Sequence, residues 1–218
     1  MQRMLPFALL LALGSPLTCV VAAERPNILL IVADDLGFSD AGAYGGEIST
    51  PSIDQLAAEG LQFTNFHVAA TCSPTRSMLM TGVDNHLVGM GNMKEIMADN
   101  QKGQPGYEGW LNDSVVTLPS LLQDAGYSTY MAGKWHLGMS TPGHIPKGRG
   151  FGESLVYFEG AEDHISQRSC QDPECLVPIP ESASSPYDLW IDDHPATGVA
   201  GKEHSGFLFG RTAVGYVQ

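Results

Sequence analysis

Basic residues are scarce in this sequence. Only 11 of its 218 residues are Lys or Arg, against 24 Asp or Glu, for a formal net charge of −13 at pH 7. That balance repels phosphate backbones and anionic lipid headgroups, which excludes nucleic acid and anionic membrane surfaces as partners. Long apolar runs are missing too, and none approaches the roughly 20 residues that span a bilayer. Cysteine is limited to four. The length, at the upper end of one domain or the lower end of two, is enough to bury a core, so a disulfide-stapled miniprotein is excluded. Repeats and low-complexity tracts are absent. Glycine and proline, at 25 and 14 residues, exceed their usual joint share of about 12 %. They are spread along the chain, as in a fold with many ordered loops.

The N-terminus reads as a secretory signal. Arg3 is followed by an apolar stretch from Leu5 to Leu13, a break at Gly14-Ser15-Pro16, and the small residues Val21-Ala22-Ala23. Cleavage is expected after Ala23, leaving Glu24 as the first mature residue and placing the protein in the periplasm or outside the cell. A stable membrane anchor is disfavoured because the apolar run is short. A lipoprotein reading of Cys19 is disfavoured by Thr18, where a small Gly or Ala is usual. Export implies an oxidising compartment. Cys170 and Cys175 flank a short loop with Asp172 and Pro173, and a local disulfide is favoured over two thiols or half of a metal clip. Cys72 is then left odd.

Asn27–Ala33 (NILLIVA) is a continuous apolar run with branched residues and predicts a buried parallel strand. Thr50, Pro51 and Gly60 mark the N-cap, first turn and end of a helix with Ile53, Leu56 and Ala57 on one face. Leu61–Phe66 alternates as a strand does. Helices are expected over Pro74–Met80 and, capped by Thr117, over Leu118–Ala125; Tyr127–Ala132 is the next strand. Strands alternating with helices predict an α/β fold around a largely parallel sheet. Residues 160–200 read as a long ordered excursion or a linker. His204–Val217 carries a partial helical stripe through Phe209, Ala213 and Val217, diluted by Gly206, Gly210 and Gly215.

Asp34-Asp35 directly follows the first predicted strand, where ligands collect in open α/β sheets. Adjacent carboxylates repel unless a cation neutralises them, and hard oxygens suit Ca²⁺ or Mg²⁺ better than zinc. Neighbouring strand residues point to opposite faces, so both reach one ion only if the backbone turns; Leu36-Gly37 allows a turn. The alternative for this pair alone is a solvated turn with a capping Asp. Cys72-Ser73-Pro74-Thr75-Arg76 places a nucleophile just before a helix start, where the dipole favours an anion, and a guanidinium four residues on along the same face. A plain thiolate nucleophile is the simplest reading.

Three segments carry a resemblance beyond this. They are PNILLIVADDLG (Pro26–Gly37), CSPTRSMLMTG (Cys72–Gly82) and GYSTYMAGKWH (Gly126–His136). In this order the chain resembles the type I sulfatases, and bacterial arylsulfatases in particular. NHLVGMGNM (Asn85–Met93) and PKGRGF (Pro146–Phe151) look like family sequence as well. The resemblance implies an alkaline-phosphatase-like fold with a largely parallel central sheet flanked by helices. It implies that a formylglycine-generating enzyme oxidises Cys72 to an aldehyde. The hydrated aldehyde would attack the sulfur of a small-molecule or glycan sulfate ester, and its second hydroxyl would collapse to eject sulfate. Asp34 and Asp35 would hold Ca²⁺, with Mg²⁺ as the alternative. Arg76 would hold the diol, Lys134 would grip the sulfate, and His136 would take the proton that triggers sulfate release. His67, His86, His144, His164, His194 and His204 match no catalytic position.

The family completes its metal site with a later Asp-Asn pair and adds a second histidine and lysine. None has a motif match before Gln218, and Asp192-Asp193-His194 does not qualify because no buried strand is expected to lead into it. The chain is therefore expected to be the N-terminal portion of a sulfatase catalytic domain, over residues 24–218, incomplete at the C-terminus and with partial or no activity as it stands. Two alternatives stand beside sulfate ester hydrolysis: a formylglycine-type phosphonate or phosphate monoester hydrolase, and a truncated, non-catalytic product.

Overall fold

The computed structural model describes residues 25–160, 164, 189–196, 198–199 and 202–218. The expected signal segment and the Cys170–Cys175 pair lie outside the described residues. The chain forms two compact units, Met1–Asp54 and Gln55–Gln218, with the division inside the first helix.

In the first unit, residues 25–33 lie outside any helix or strand and are exposed. Ile28, Leu29 and Ile31 are 60 %, 69 % and 74 % accessible. The apolar run forms no strand and belongs to no sheet among the described residues, and its predicted burial is not observed. A parallel strand is buried only when neighbours cover both edges and both faces, and the described residues supply none. The chain then bends at Asp34-Asp35. A short turn follows, in which Asp40 N donates to Gly37 O and Gly37 N donates to Asp40 Oδ2. Thr50 leads into helix α1, Pro51–Glu59. Its hydroxyl accepts from Gly42 N at 2.9 Å and donates to Asp54 Oδ1 at 2.8 Å, tying the preceding loop to the helix start.

The second unit holds the helices α2 (Cys72–Thr81), α3 (Leu118–Asp124) and α4 (Ser205–Val217). Its sheet has the strands β1 (Tyr130–Lys134), β2 (Glu153–Tyr157), β3 (Leu189–Ile191) and β4 (His194–Pro195), in that order. β1 and β2 are parallel, with Lys134 opposite Tyr157; the other two pairings are antiparallel. The α/β class holds, and the sheet among the described residues is mixed. Leu61–Phe66 forms no strand. Leu61 and Phe66 stay 79 % and 72 % exposed, because alternation sets a face but supplies no neighbour. The strand leading into Asp192-Asp193 is buried only at Leu189, and Ile191 beside the pair is exposed, so no buried strand leads into it, in line with the sequence reading. These aspartates form the tight turn of the β3–β4 hairpin.

The core packs Met80 of α2 and Val156 of β2 around Val88, Leu111, Trp135 and Leu137. Trp135 is almost fully buried, and its indole N–H donates to Gly138 O and His144 O. A second cluster seats Leu208 of α4 against Leu155 and Leu189. The crossover from β1 to β2 carries a 3-10 turn, Pro146–Arg149. The buried Arg149 donates to Leu111 O and Asn112 O, pinning this turn to the long loop before α3. Thr117 does not cap α3 with its side chain, as the sequence suggested. Its hydroxyl donates to Arg149 O instead. Gly150 follows with φ 93°, and a Cβ there would lie 2.3 Å from Ser120 N. Gly150→Ala combines a left-handed backbone with a clash against main chain. It is expected to destabilise the protein by about 2–4 kcal/mol, read as a lowered melting temperature.

Candidate active site

Cys72 is itself the first residue of α2; the sequence placed the start at Pro74. Pro74 falls in the first turn, where a missing N–H costs no intrahelical bond. Thr71 precedes it in extended backbone and makes no side-chain cap. At the far end Gly82 closes the helix at φ 68° with its N–H on Met78 O. The half-buried Cys72 thus sits at the positive end of the helix dipole.

Arg76, one turn along, ties α2 to the chain leaving β1. Its Nε donates to Trp135 O at 2.9 Å, and its Nη2 donates to Lys134 O. The guanidinium therefore orients the two residues that flank the end of β1, a role the motif alone does not reveal.

Lys134 and His136 are 8 % and 6 % exposed. Parallel pairing continues past β1 through Trp135 N to Tyr157 O and His136 N to Phe158 O. His136 then adopts a left-handed backbone, φ 55°. Side-chain alternation, which would put Lys134 and His136 on one face, therefore stops at Lys134. His136 lies beside Cys72 and Glu95, its Nε2 2.9 Å from Glu95 Oε1, and neither buried ring nitrogen makes a well-aligned hydrogen bond. Burial pulls the imidazole pKa down, but Cys72 and the Glu95 carboxylate outweigh it and hold the pKa above the usual histidine value, with Lys134 opposing. For Glu95, burial pushes upward and is outweighed by the bond and charge of His136, so its pKa lies below the usual range. Glu159 goes the other way, raised by burial and by the charge of Glu95.

Sequence reasoning missed Glu95 and Glu159. With Lys94, Ser73, Ser140 and Phe158 they line a small recess beside His136. Glu95 lies in a 3-10 turn, Lys94–Ile96, of the long loop between α2 and α3. This loop is held by Gly109 N on Gly89 O, Asn112 N on Val88 O and Leu111 N on Leu137 O. The only signal for it was the family-like stretch Asn85–Met93, which ends two residues short.

Asp34 and Asp35 lie in the first unit, both exposed. The turn that two adjacent ligands require comes at Asp35 itself, φ 54°, rather than at Leu36-Gly37. A carboxylate oxygen of each comes within 4.8 Å of one on the other. Two oxygens about 2.4 Å from a shared Ca²⁺ have that reach, so the donor type and spacing fit a hard divalent cation. The histidines without a catalytic match have other partners. His86 meets Asp84, His194 meets Asp193, His144 stacks on Trp110, and His204 accepts from Gly206 N at the start of α4. Among the described residues no helix is long and apolar enough to cross a membrane.

The sulfatase family model matches residues 26–201. An uncharacterized sulfatase of Schizosaccharomyces pombe is 54 % identical over 147 residues, covering 66 % of this chain and 26 % of that protein. An arylsulfatase of Klebsiella aerogenes is 43 % identical over 143 residues, covering 66 % of this chain and 30 % of that one. The crystal structure of Ps i-CgsB superposes with a TM-score of 0.69 at 31 % identity, covering 89 % of this chain and 41 % of the other. The chain thus spans 26–30 % of the length of these curated relatives. A match running from residue 26 to residue 201 takes in both units, and the chain as a whole belongs to the sulfatase family.

Proposed function

We propose that the protein hydrolyses sulfate esters, with Cys72 as the precursor of its nucleophile. The observation that carries the reading is the meeting of Cys72 and His136 at the N-terminus of α2, with Arg76 fixing the backbone between them. A cysteine there, half-buried beside an imidazole, is placed for conversion into a nucleophile rather than for packing. Formylglycine, made from Cys72 by a maturation enzyme, supplies when hydrated a nucleophilic hydroxyl and a second hydroxyl for sulfate release.

The chain's own residues supply the rest. Lys134, a buried cation at the end of β1, binds and orients the anionic sulfate. His136, buried beside the Cys72 side chain, accepts the proton at the step that frees sulfate. Arg76 adds positive charge while holding Lys134 and His136 in place. Asp34 and Asp35 would hold Ca²⁺ or Mg²⁺, which would act as a Lewis acid on a sulfate oxygen.

Relatives named as arylsulfatases and as steryl-sulfatase, and a neighbour solved in complex with k-i-k-neocarrahexaose, favour aryl or glycan sulfate esters. The Met1–Ala23 pattern favours export. The test is to offer the mature, full-length enzyme matched aryl sulfate and aryl phosphonate monoesters. The expected kcat/KM is at least about tenfold higher for the sulfate. The reverse preference would replace this reading with a phosphonate hydrolase.

A further inference from the structure

We propose that Glu95 is the positioning residue of His136: it fixes the ring and its tautomer so that the nitrogen not facing the carboxylate keeps the lone pair. The inference rests on the sulfatase reading and adds a residue to it. Three observations carry it. First, His136 Nε2 lies 2.9 Å from Glu95 Oε1, too close for a lone pair to face the carboxylate, and both ring nitrogens are buried without a well-aligned hydrogen bond. A buried imidazole with one nitrogen on a carboxylate places its proton there in the neutral form, leaving Nδ1 as the base. Second, Glu95 is enclosed: it sits in the 3-10 turn Lys94–Ile96, and its side chain is only 15 % exposed. Third, Gly160 presses against the contact. A Cβ at Gly160 would come within 2.5 Å of Glu95 Oε1 and 2.8 Å of His136 Cε1. The pair therefore sits in a slot open on one side only because residue 160 has no side chain. Glu95 touches no reacting atom in this arrangement; it acts through His136.

The groups that act on the His136 charge are Cys72, Glu95 and Lys134, and Glu159 feels that charge in turn. Glu95 is the carboxylate in contact, so removing its charge should lower the His136 titration midpoint.

The test compares wild type with Glu95→Gln, which keeps size but removes charge, and with Gly160→Ala, which retains both side chains but forces them apart. In the unconverted Cys72 form of the full-length protein, ¹⁵N-histidine NMR is expected to show the His136 midpoint falling by about one pH unit in Glu95→Gln, with loss of the single neutral tautomer. In the mature enzyme, kcat is expected to fall about 10–100-fold in both variants with KM within about twofold. A midpoint, tautomer and kcat that all match wild type would overturn the proposal, as would a shifted midpoint with unchanged kcat. If Glu95→Gln does not fold, Gly160→Ala decides by the same readings. A wild-type enzyme inert towards sulfate esters would sink the proposed function alone, because the NMR titration would still report whether Glu95 controls His136.

Discussion

Cys72→Ala in the mature enzyme is expected to reduce sulfate ester turnover by about 10⁴–10⁶-fold, to the level of the uncatalysed reaction plus whatever binding and charge still provide. The size of the drop follows from what remains. Lys134, Arg76 and His136 would still bind and polarise the ester, but no group at the N-terminus of α2 could form a bond to sulfur. The fold should barely respond. Cys72 is only half-buried and supports no core contact comparable to Met80 on the same helix, so truncation should cost about 1 kcal/mol. Steady-state turnover together with a thermal melt separates the two effects. Turnover within tenfold of wild type would remove Cys72 from the chemistry altogether.

Arg76 should show the next largest effect, and in two measurements at once. Arg76→Ala leaves the Lys134 and Trp135 carbonyls without their donors. Charge-assisted bonds are worth about 1.5–3 kcal/mol each, and because this site is only partly buried a total near 2–4 kcal/mol is expected, seen as a melting temperature lower by roughly 5–10 °C. The same change frees the chain that carries Lys134 and His136, and a displacement of about 1 Å there is enough for a further 10²-fold loss in kcat. Arg76→Lys is the discriminating variant. It keeps the charge, but a single ammonium cannot serve both carbonyls as the planar fork does. Most of both losses should therefore persist. Wild-type stability with lost activity in Arg76→Lys would mean that Arg76 acts on the substrate and not as a tether.

Much of the site could be read from the sequence because its parts are short and local. Cys72 and Arg76 share one helical turn, Lys134 and His136 share one strand end, and Asp34 and Asp35 are adjacent. Each pair needs only local geometry. Glu95 was invisible because its contact with His136 is made across the fold from a loop with no periodicity. Strand alternation does not carry through to His136 for a related reason: it holds only inside a strand, and β1 stops two residues earlier. Helices α1, α2 and α3 were placed to within two residues, since proline, threonine and glycine mark their ends. The strands expected at Asn27–Ala33 and Leu61–Phe66 were not observed, because an apolar pattern records a need for neighbours without providing them.

The Arg76 tether also sets a timetable. Its acceptors lie 58 and 59 residues further along the chain. At a synthesis rate of about 5–20 residues per second, the segment around Cys72 emerges roughly 3–12 s before the carbonyls that will clasp it exist. During that interval Cys72 is an ordinary residue of an unfinished polypeptide, open to any enzyme that must grip extended chain to modify it. Once Lys134 and Trp135 arrive and the helix is drawn in, the thiol is half-covered beside His136. On the proposal that Cys72 is converted, the opportunity to modify it is a matter of order as well as chemistry, and slowing translation between residues 76 and 135 should raise the converted fraction.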